Sequence, residues 1–271
     1  MKHPDDIQGG PKVTVRLNHP MSLPVYLKVH NYMHHPKEGP PVVLLSGGNG
    51  ARTLSETLIQ YTHNSSHVLP MFDDGGSSRI LRERLGMPPP GDLRNRLISL
   101  SDLSMSGNPE VSHLFRTRLP MEGGPRQLQE LLYEYLREDH PEMERIERPY
   151  RRIIINHLTR FNSRKPRDFD LRGGSIGNFV IAGAYLSVGD LEAVIFEFSA
   201  LAAARGQVYP VIRGGDYHLR AELADGTTLR GQSRITNEDH APISRLSIVA
   251  FKDGAWTEVR PALNPAAAAA I

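Results

Sequence analysis

The sequence contains no cysteine, which excludes disulfides, thiolate zinc sites, iron–sulfur clusters and cysteine nucleophiles. It also has little net charge: 32 lysines and arginines against 30 aspartates and glutamates leave a formal charge of +2, which is too little to favour a nucleic-acid partner. No apolar run reaches about 18 residues, and no apolar segment follows the first lysine, so we expect neither a membrane span nor a signal peptide. We therefore expect a cytoplasmic protein with no nucleic-acid or membrane partner.

What remains is an ordinary globular composition. The 271 residues are 39% hydrophobic and 23% charged, and a chain of this length can bury a core without a disulfide or a metal. We divide it into an N-terminal extension, residues 1–40, and a main domain, residues 41–271. The extension is rich in proline, histidine and asparagine, and its alternating runs Val13–Leu17 and Val25–Val29 predict two short strands.

The order of elements in the main domain predicts the fold class. Pro41–Ser46 is an apolar run without alternation, typical of a strand buried on both faces of a parallel sheet, and His67–Phe72 predicts a second strand. Strands alternating with helices indicate an α/β fold with a Rossmann-like, mainly parallel sheet. Amphipathic segments predict a helical insertion around 121–170, and alternating runs, among them Thr228–Ile235, predict a β-rich segment over 207–260. The last predicted helix, Asn264–Ile271, has a start signal but no stop signal, so we expect the chain to continue in a longer protein.

The first candidate motif is a glycine turn between the first strand and a helix, formed by Gly47, Gly48, Asn49 and Gly50. Such a turn lets backbone N–H groups approach a phosphate at the positive end of the helix. The match to the dinucleotide fingerprint is incomplete because Thr53 stands at the third glycine position, and no Walker lysine follows. Phosphate binding and a tight turn without ligand therefore remain equal alternatives for this motif alone.

The second motif follows the second predicted strand and begins with the carboxylates of Asp73 and Asp74. Ligands of open α/β sheets lie beyond the carboxyl ends of the strands. Two carboxylates about 4 Å apart repel by roughly 1 to 4 kcal/mol, depending on the dielectric, so Mg²⁺ is a natural partner. The next four residues offer N–H groups and hydroxyls to anionic oxygens: Gly75, Gly76, Ser77 and Ser78. The alternative is an exposed turn that caps a helix.

Two further glycine-containing helix entries complete the candidate set. In the first, which follows a run of prolines, Asp92 is expected to cap the helix, and an arginine in the first turn would be favoured by a nearby anion. The second has the same phosphate rationale. A capped helix without ligand is the alternative for both. The candidate binding residues of the first entry are Gly91, Asp92, Arg94 and Asn95. Those of the second are Gly174, Gly177 and Asn178.

Taken together, these four motifs occur in an order that resembles the 2-phospho-L-lactate transferase (CofD-like) superfamily, which includes the gluconeogenesis-factor (YvcK-like) branch. The segments Ala203–Pro210 and Gly231–Ser233 also resemble the family, and the resemblance covers residues 41–271. Two departures are visible. Asn49 and Ser46 stand where the family usually has threonine and glycine, and the sequence ends before the family's last glycine-rich loop.

The resemblance implies a nucleotide-diphosphate ligand. The transferases move a phospholactyl group from a guanosine diphosphate-linked donor to a deazaflavin alcohol with Mg²⁺, whereas the gluconeogenesis-factor branch is associated with UDP-sugars and with control of carbon and cell-wall metabolism. By resemblance, Gly47–Gly50 and Gly177–Asn178 would cradle phosphates, Pro90–Asn95 would line the nucleotide, and Asp73 and Asp74 would face the metal or reacting group. A transferase and a non-catalytic UDP-sugar-binding regulator both remain open, as does a homodimer.

Overall fold

The computed structural model describes residues 26–47, 50–104, 106–237 and 239–271. The strand predicted at Val13–Leu17 and the turn residues Gly48 and Asn49 lie outside the described residues. Within them, the predicted α/β architecture is confirmed: a parallel sheet surrounded by helices precedes an antiparallel sheet near the C-terminal end of the sequence.

The parallel sheet has three strands in the order β1 (Val42–Leu45), β2 (Ser65–Leu69) and β3 (Gln207–Pro210). Both pairings are parallel, with Leu44 opposite His67 and His67 opposite Val208. All three strands therefore have their carboxyl ends at one edge of the sheet, which we call the rim. The long connection from β2 to β3 carries most of the helices.

The antiparallel sheet has the order β5-β4-β6-β7 and forms the predicted β-rich segment. Its strands are β4 (Tyr217–Leu223), β5 (Thr228–Arg230), β6 (Ile243–Lys252) and β7 (Ala255–Glu258). Two hairpins connect β4 to β5 and β6 to β7. Both contain an Asp-Gly pair, the sequence signal for a tight hairpin turn.

Most helices follow the predicted helical segments, whereas those at Tyr26–His34, Pro109–Arg116 and Gln232–Asn237 lie where the sequence pattern predicted no helix. In chain order they are α1 (Tyr26–His34), α2 (Arg52–Leu58), α3 (Gly76–Leu85), α4 (Gly91–Ser99), α5 (Pro109–Arg116), α6 (Pro125–Glu134), α7 (Pro141–Glu144), α8 (Arg148–Arg164), α9 (Ile176–Val188), α10 (Leu191–Leu201), α11 (Gln232–Asn237) and α12 (Pro265–Ala270). The helical insertion predicted around 121–170 corresponds to α6, α7 and α8. No helix among the described residues is long and apolar enough to cross a membrane.

Helix α9 is the centre of the hydrophobic core. It has no charged residue and is buried around most of its circumference, as expected of a helix that is apolar on every side. Phe179 stacks on Phe161 of α8 with ring centroids 4.4 Å apart. Gly183 permits the two helices to touch, because a Cβ at that position would overlap the backbone carbonyl of His157. The core thus fixes the position of the start of α9, which reaches the rim.

Three predictions of local structure were wrong. β1 is not buried on both faces: it is an edge strand of the described sheet, and Val43 and Leu45 are 39% and 67% exposed. The strand predicted at Val25–Val29 is wrong over its described residues, 26–29, which belong to the helix Tyr26–His34. The strand predicted to run from residue 228 to 235 stops after Arg230, because Gly231 adopts φ +101° and turns the chain into α11.

We expect Gly183→Ala to lower the free energy of unfolding by about 2 kcal/mol or more, although alanine favours a helix by roughly 1 kcal/mol. The cause is the overlap of the new methyl group with the His157 carbonyl, which belongs to a packed backbone. Urea unfolding of both proteins measures the difference. Gly124→Ala is the matched control, because a Cβ there meets no atom within 4 Å. Equal losses in the two variants would contradict this account of the α8–α9 contact.

Candidate functional site

The candidate motifs meet at the rim. Gly47 follows β1, and a Cβ added to it would lie 3.5 Å from Asp92 Oδ2 at the start of α4. A Cβ added to Gly91 would overlap both Asp73 Oδ2 and Ser78 Oγ. The first-strand turn, the Asp73–Ser78 segment and the entry to α4 are therefore neighbours in space, as the predicted site requires.

The glycine-rich entry to α9 closes the same site. Asn178 Nδ2 donates a hydrogen bond to Ser77 Oγ at 2.9 Å, which joins α9 to the start of α3. A Cβ added to Gly177 would lie 2.7 Å from the carbonyl oxygen of Phe115 and 2.9 Å from Arg94 Cδ. Gly177 thus lets three segments cross at a distance that any side chain would prevent.

The two predicted carboxylates have different neighbours. Asp73 Oδ1 accepts the N–H of Gly75 at 3.0 Å, while its Oδ2 lies against Gly91. Asp74 is only 8% exposed; its Oδ1 accepts the N–H of Ser233 at 2.7 Å, and its Oδ2 lies against Gly231. Asp74 therefore holds the start of α11 against the rim, whereas Asp73 faces the start of α4.

Arg94 is the most unusual side chain of the site. It is 5% exposed, and its one hydrogen bond among the described residues runs from Nη2 to Asn95 Oδ1 at 2.7 Å. Its Nε and Nη1 are buried without a partner. Desolvation, then the charge of Arg118, lower the pKa of Arg94 to about 10, and Asp73 acts in the opposite direction. The guanidinium remains charged at neutral pH, and the N–H groups of two of its nitrogens are unused.

Arg96, which the sequence analysis did not select, holds the first glycine turn in place. On one side of the turn it donates to Ser46 Oγ at 2.7 Å and Gly47 O at 3.3 Å. On the other side it donates to Ala51 O at 3.2 Å and to Ser55 Oγ. Arg96 lies two residues beyond Arg94, on another side of α4. Nothing in the sequence distinguishes an arginine that holds a distant turn from an ordinary arginine in an amphipathic helix.

The remaining predicted residues that the structure describes fall at or beside the rim, with one correction. Asp92 does not cap α4: the helix begins at Gly91, Pro90 occupies the N-cap position, and Asp92 lies in the first turn. The difference arises because Gly91 already has helical geometry. Gly174 packs against the ring of Phe179, so its lack of a side chain serves the core. Gly50 precedes α2, and Gly76 is the first residue of α3.

The fit of Mg²⁺ to these residues is limited to one arrangement. No group of three or more histidines, aspartates or glutamates among the described residues could hold a metal. Mg²⁺ is commonly held by one or two carboxylates together with substrate phosphates and water. Asp73 Oδ2 suits that arrangement, whereas one oxygen of Asp74 is already occupied by Ser233. A Mg²⁺ ion here would therefore depend on ligand phosphates for most of its coordination.

The part of the chain that contains these motifs is similar to known proteins. Residues 42–271 match the family model described as 2-phospho-L-lactate transferase CofD. The chain belongs to the CofD family. This CofD-family chain is similar to the gluconeogenesis factor of Bacillus subtilis, with 29% identity over 72% of the chain and 46% of that protein. It is also similar to the gluconeogenesis factor of Halalkalibacterium halodurans, with 28% identity over 72% of the chain and 44% of that protein.

A solved structure supports the fold of this CofD-family chain. The crystal structure of a UPF0052 family member from Bacillus halodurans superposes with a TM-score of 0.53 and 26% identity, covering 82% of this chain and 54% of that one. The chain spans about a third to a half of the length of the curated relatives that it matches. The similarity therefore shows the family and the fold of the chain that carries the rim motifs, and it does not identify a ligand.

We expect Arg96→Met to lower the free energy of unfolding by about 3 kcal/mol, because the buried oxygens on both sides of the glycine turn would lose their donor. Chemical denaturation measures the loss. Arg84→Met is the control, since Arg84 is an exposed arginine that pairs with Asp168, and such a surface pair contributes about 0 to 1 kcal/mol. A loss below roughly 1 kcal/mol for Arg96→Met would show that the turn keeps its shape without this arginine.

Proposed function

We propose that this protein binds a small molecule built on a nucleoside diphosphate, GDP- or UDP-linked, with the diphosphate at the rim between the Gly47 turn, the Asp73–Ser78 segment and Gly177. The observation that carries the proposal is the buried guanidinium of Arg94, two of whose nitrogens have no hydrogen-bond partner. A buried cation is costly unless an anion pairs with it. A phosphate oxygen supplies both the charge and the acceptors that Arg94 lacks.

The surroundings of Arg94 support a phosphate ligand. Gly177 lies in the first turn of α9, a long, buried helix whose first N–H groups and positive dipole end favour an anion. The Ser77 hydroxyl lies against Asn178 in the same turn, and the Ser78 hydroxyl lies against Gly91 at the start of α4. Asp73 offers one carboxylate oxygen for a Mg²⁺ ion that would also bind the ligand's phosphates. When bound, Mg²⁺ would neutralise phosphate charge, and the chain's own residues would orient the ligand.

Two activities follow from such a site. A transferase of the family type would move a substituted phosphate group from the nucleotide donor to an alcohol, which depends on orientation and charge neutralisation. A regulator of carbon or cell-wall metabolism would bind a UDP-sugar without turnover. The engagement of Asp74 with Ser233 favours the regulator, since it leaves one carboxylate rather than two facing the ligand. Either activity suits the cytoplasm, where nucleotide-linked metabolites are found.

Replacing Arg94 by methionine should change binding and stability in opposite directions. Without its uncompensated charge, the ligand-free protein should become more stable by about 1 kcal/mol or more. The affinity for the preferred diphosphate should fall about 10- to 100-fold with the loss of charge-assisted hydrogen bonds. Calorimetric titration with UDP and GDP in the presence of Mg²⁺, together with thermal melting of the ligand-free protein, measures both effects.

The control for this pair of measurements is Arg172→Met, which removes an exposed arginine paired with Asp170 and should alter neither quantity. Native mass spectrometry of freshly purified protein checks the ligand class independently through any co-purified nucleotide. Binding of neither UDP nor GDP by the wild-type protein would refute the proposal, as would an Arg94→Met variant that keeps full affinity.

Substitution of the two aspartates tests whether the protein transfers a substituted phosphate group. If the protein is a transferase, Asp73→Asn should abolish release of nucleoside monophosphate from a diphosphate-linked donor in the presence of an alcohol acceptor. Nucleotide affinity without Mg²⁺ should stay within about tenfold, because the neutral side chain keeps its size. Asp74→Asn is the matched comparison at the adjacent residue. Tight nucleotide binding with no monophosphate release by the wild-type protein would identify the regulator.

A further inference from the structure

A groove lies between α5 and the connection from α7 to α8, in the helical insertion. Two adjoining cavities of about 400 and 330 Å³ form it. They are continuous with each other, because Leu103, Pro109, Glu110 and Arg145 line both. None of the predicted motifs contributes a residue to this groove, so it is separate from the proposed diphosphate site.

Two opposite charges line the junction of the cavities without pairing. Glu110 lies in the first turn of α5, and Arg145 follows the last residue of α7. Neither side chain makes a hydrogen bond or an ion pair with any residue that the structure describes. A molecule that carries both an ammonium and a carboxylate could pair with Glu110 and Arg145 at once.

The balance of charge in the larger cavity argues against a simple anion or cation. Arg116 and Arg145 contribute two positive charges to its lining, and Glu110 and Glu142 contribute two negative ones. Glu142 already accepts hydrogen bonds from two hydroxyl groups, and Arg116 Nη2 lies 3.6 Å from Glu56 Oε1. Glu110 and Arg145 are therefore the charged pair that remains for a ligand.

A buried hydroxyl group in the same lining also lacks a partner. Ser112 is 2% exposed, and its Oγ makes no hydrogen bond. A helical serine commonly donates to the carbonyl four residues earlier, but the carbonyl of Asn108 accepts the backbone N–H of Ser112 instead, at 3.2 Å. Buried polar atoms without a partner are uncommon. The O–H of Ser112 is thus a donor that a ligand carboxylate would satisfy.

The smaller cavity supplies apolar contacts. It is lined by aliphatic and aromatic side chains from the loop before α5, from α5 itself and from the start of α8. These side chains are Leu103, Pro109, Val111, Ile146 and Tyr150. Glu147 also lines this cavity and disfavours a second acidic group there. The groove therefore combines an unpaired charge pair and a free hydroxyl with a surface for an apolar side chain.

We propose that this groove binds a free α-amino acid with a large apolar or aromatic side chain. Arg145 and the Ser112 hydroxyl bind its carboxylate, Glu110 binds its ammonium group, and its side chain lies in the smaller cavity. A guanidinium can hold a carboxylate through two parallel hydrogen bonds, which fixes the orientation of the amino acid. The proposal does not rest on the proposed nucleotide binding, because the two sites share no residue.

The experiment compares ligands that differ in one charge. Calorimetric titration with leucine, methionine, phenylalanine, tyrosine and tryptophan first identifies the tightest amino acid. That amino acid is then compared with its amide, which lacks the carboxylate charge, and with its N-acetyl derivative, which lacks the ammonium charge. We expect the free amino acid to bind about tenfold or more tightly than either derivative, because each derivative loses a charge-assisted contact.

Two variants test the assignment of each charge. Arg145→Gln should abolish the preference over the amide and keep the preference over the N-acetyl derivative, whereas Glu110→Gln should do the reverse. Arg148→Gln is the control: this exposed arginine begins α8, lines neither cavity, and should keep both preferences. Thermal melting verifies that the variants are folded.

Three results would overturn the inference. The first is that none of these amino acids binds the wild-type protein at millimolar concentration. The second is equal affinity of the wild-type protein for the free amino acid and both derivatives, which would exclude recognition of a zwitterion. The third is that both preferences survive in Arg145→Gln and in Glu110→Gln, which would place the amino acid outside this groove.

Discussion

The site depends on the close crossing of backbone segments at Gly91 and Gly177. At the first, the absence of a side chain admits Asp73 and Ser78 to the start of α4; at the second, it admits Arg94 and the Phe115 carbonyl to the start of α9. A methyl group at either position would separate segments that are far apart in the sequence. The packing of α9 in the core makes these crossings rigid, because the helix is buried around most of its surface.

Three buried arginines near the rim differ in the hydrogen-bond partners of their guanidinium groups. Arg82 pairs with Asp216 and donates to the carbonyls of Phe72 and Asp73. Arg96 donates to neutral oxygens on both sides of the glycine turn. Arg94 alone among these three combines burial with a single side-chain acceptor. The first two fix backbone geometry, and the third is the one that the proposed diphosphate would complete.

The sequence predicted the fold class and the clustering of motifs more accurately than the details of the site. Buried apolar runs and glycine turns are local signals, so the positions of β2, α3, α4 and α9 could be inferred. The exposure of β1 could not be inferred from the sequence, because it depends on which strands pair with β1 in the sheet. The helix at Tyr26–His34 was missed for a related reason: a five-residue alternation does not distinguish a strand from an exposed helix turn.

The roles of particular side chains depended on long-range contacts that a sequence pattern does not contain. Asp73 and Asp74 are adjacent and chemically identical, yet one faces α4 and the other holds α11, 159 residues further along the chain. Gly231 makes the second contact possible by its positive φ and its missing side chain. Because α11 follows β5 directly, the carboxylate next to Asp73 connects the antiparallel sheet to the rim. The proposed ligand at the Asp73–Ser78 segment would therefore lie one residue from the contact that holds α11.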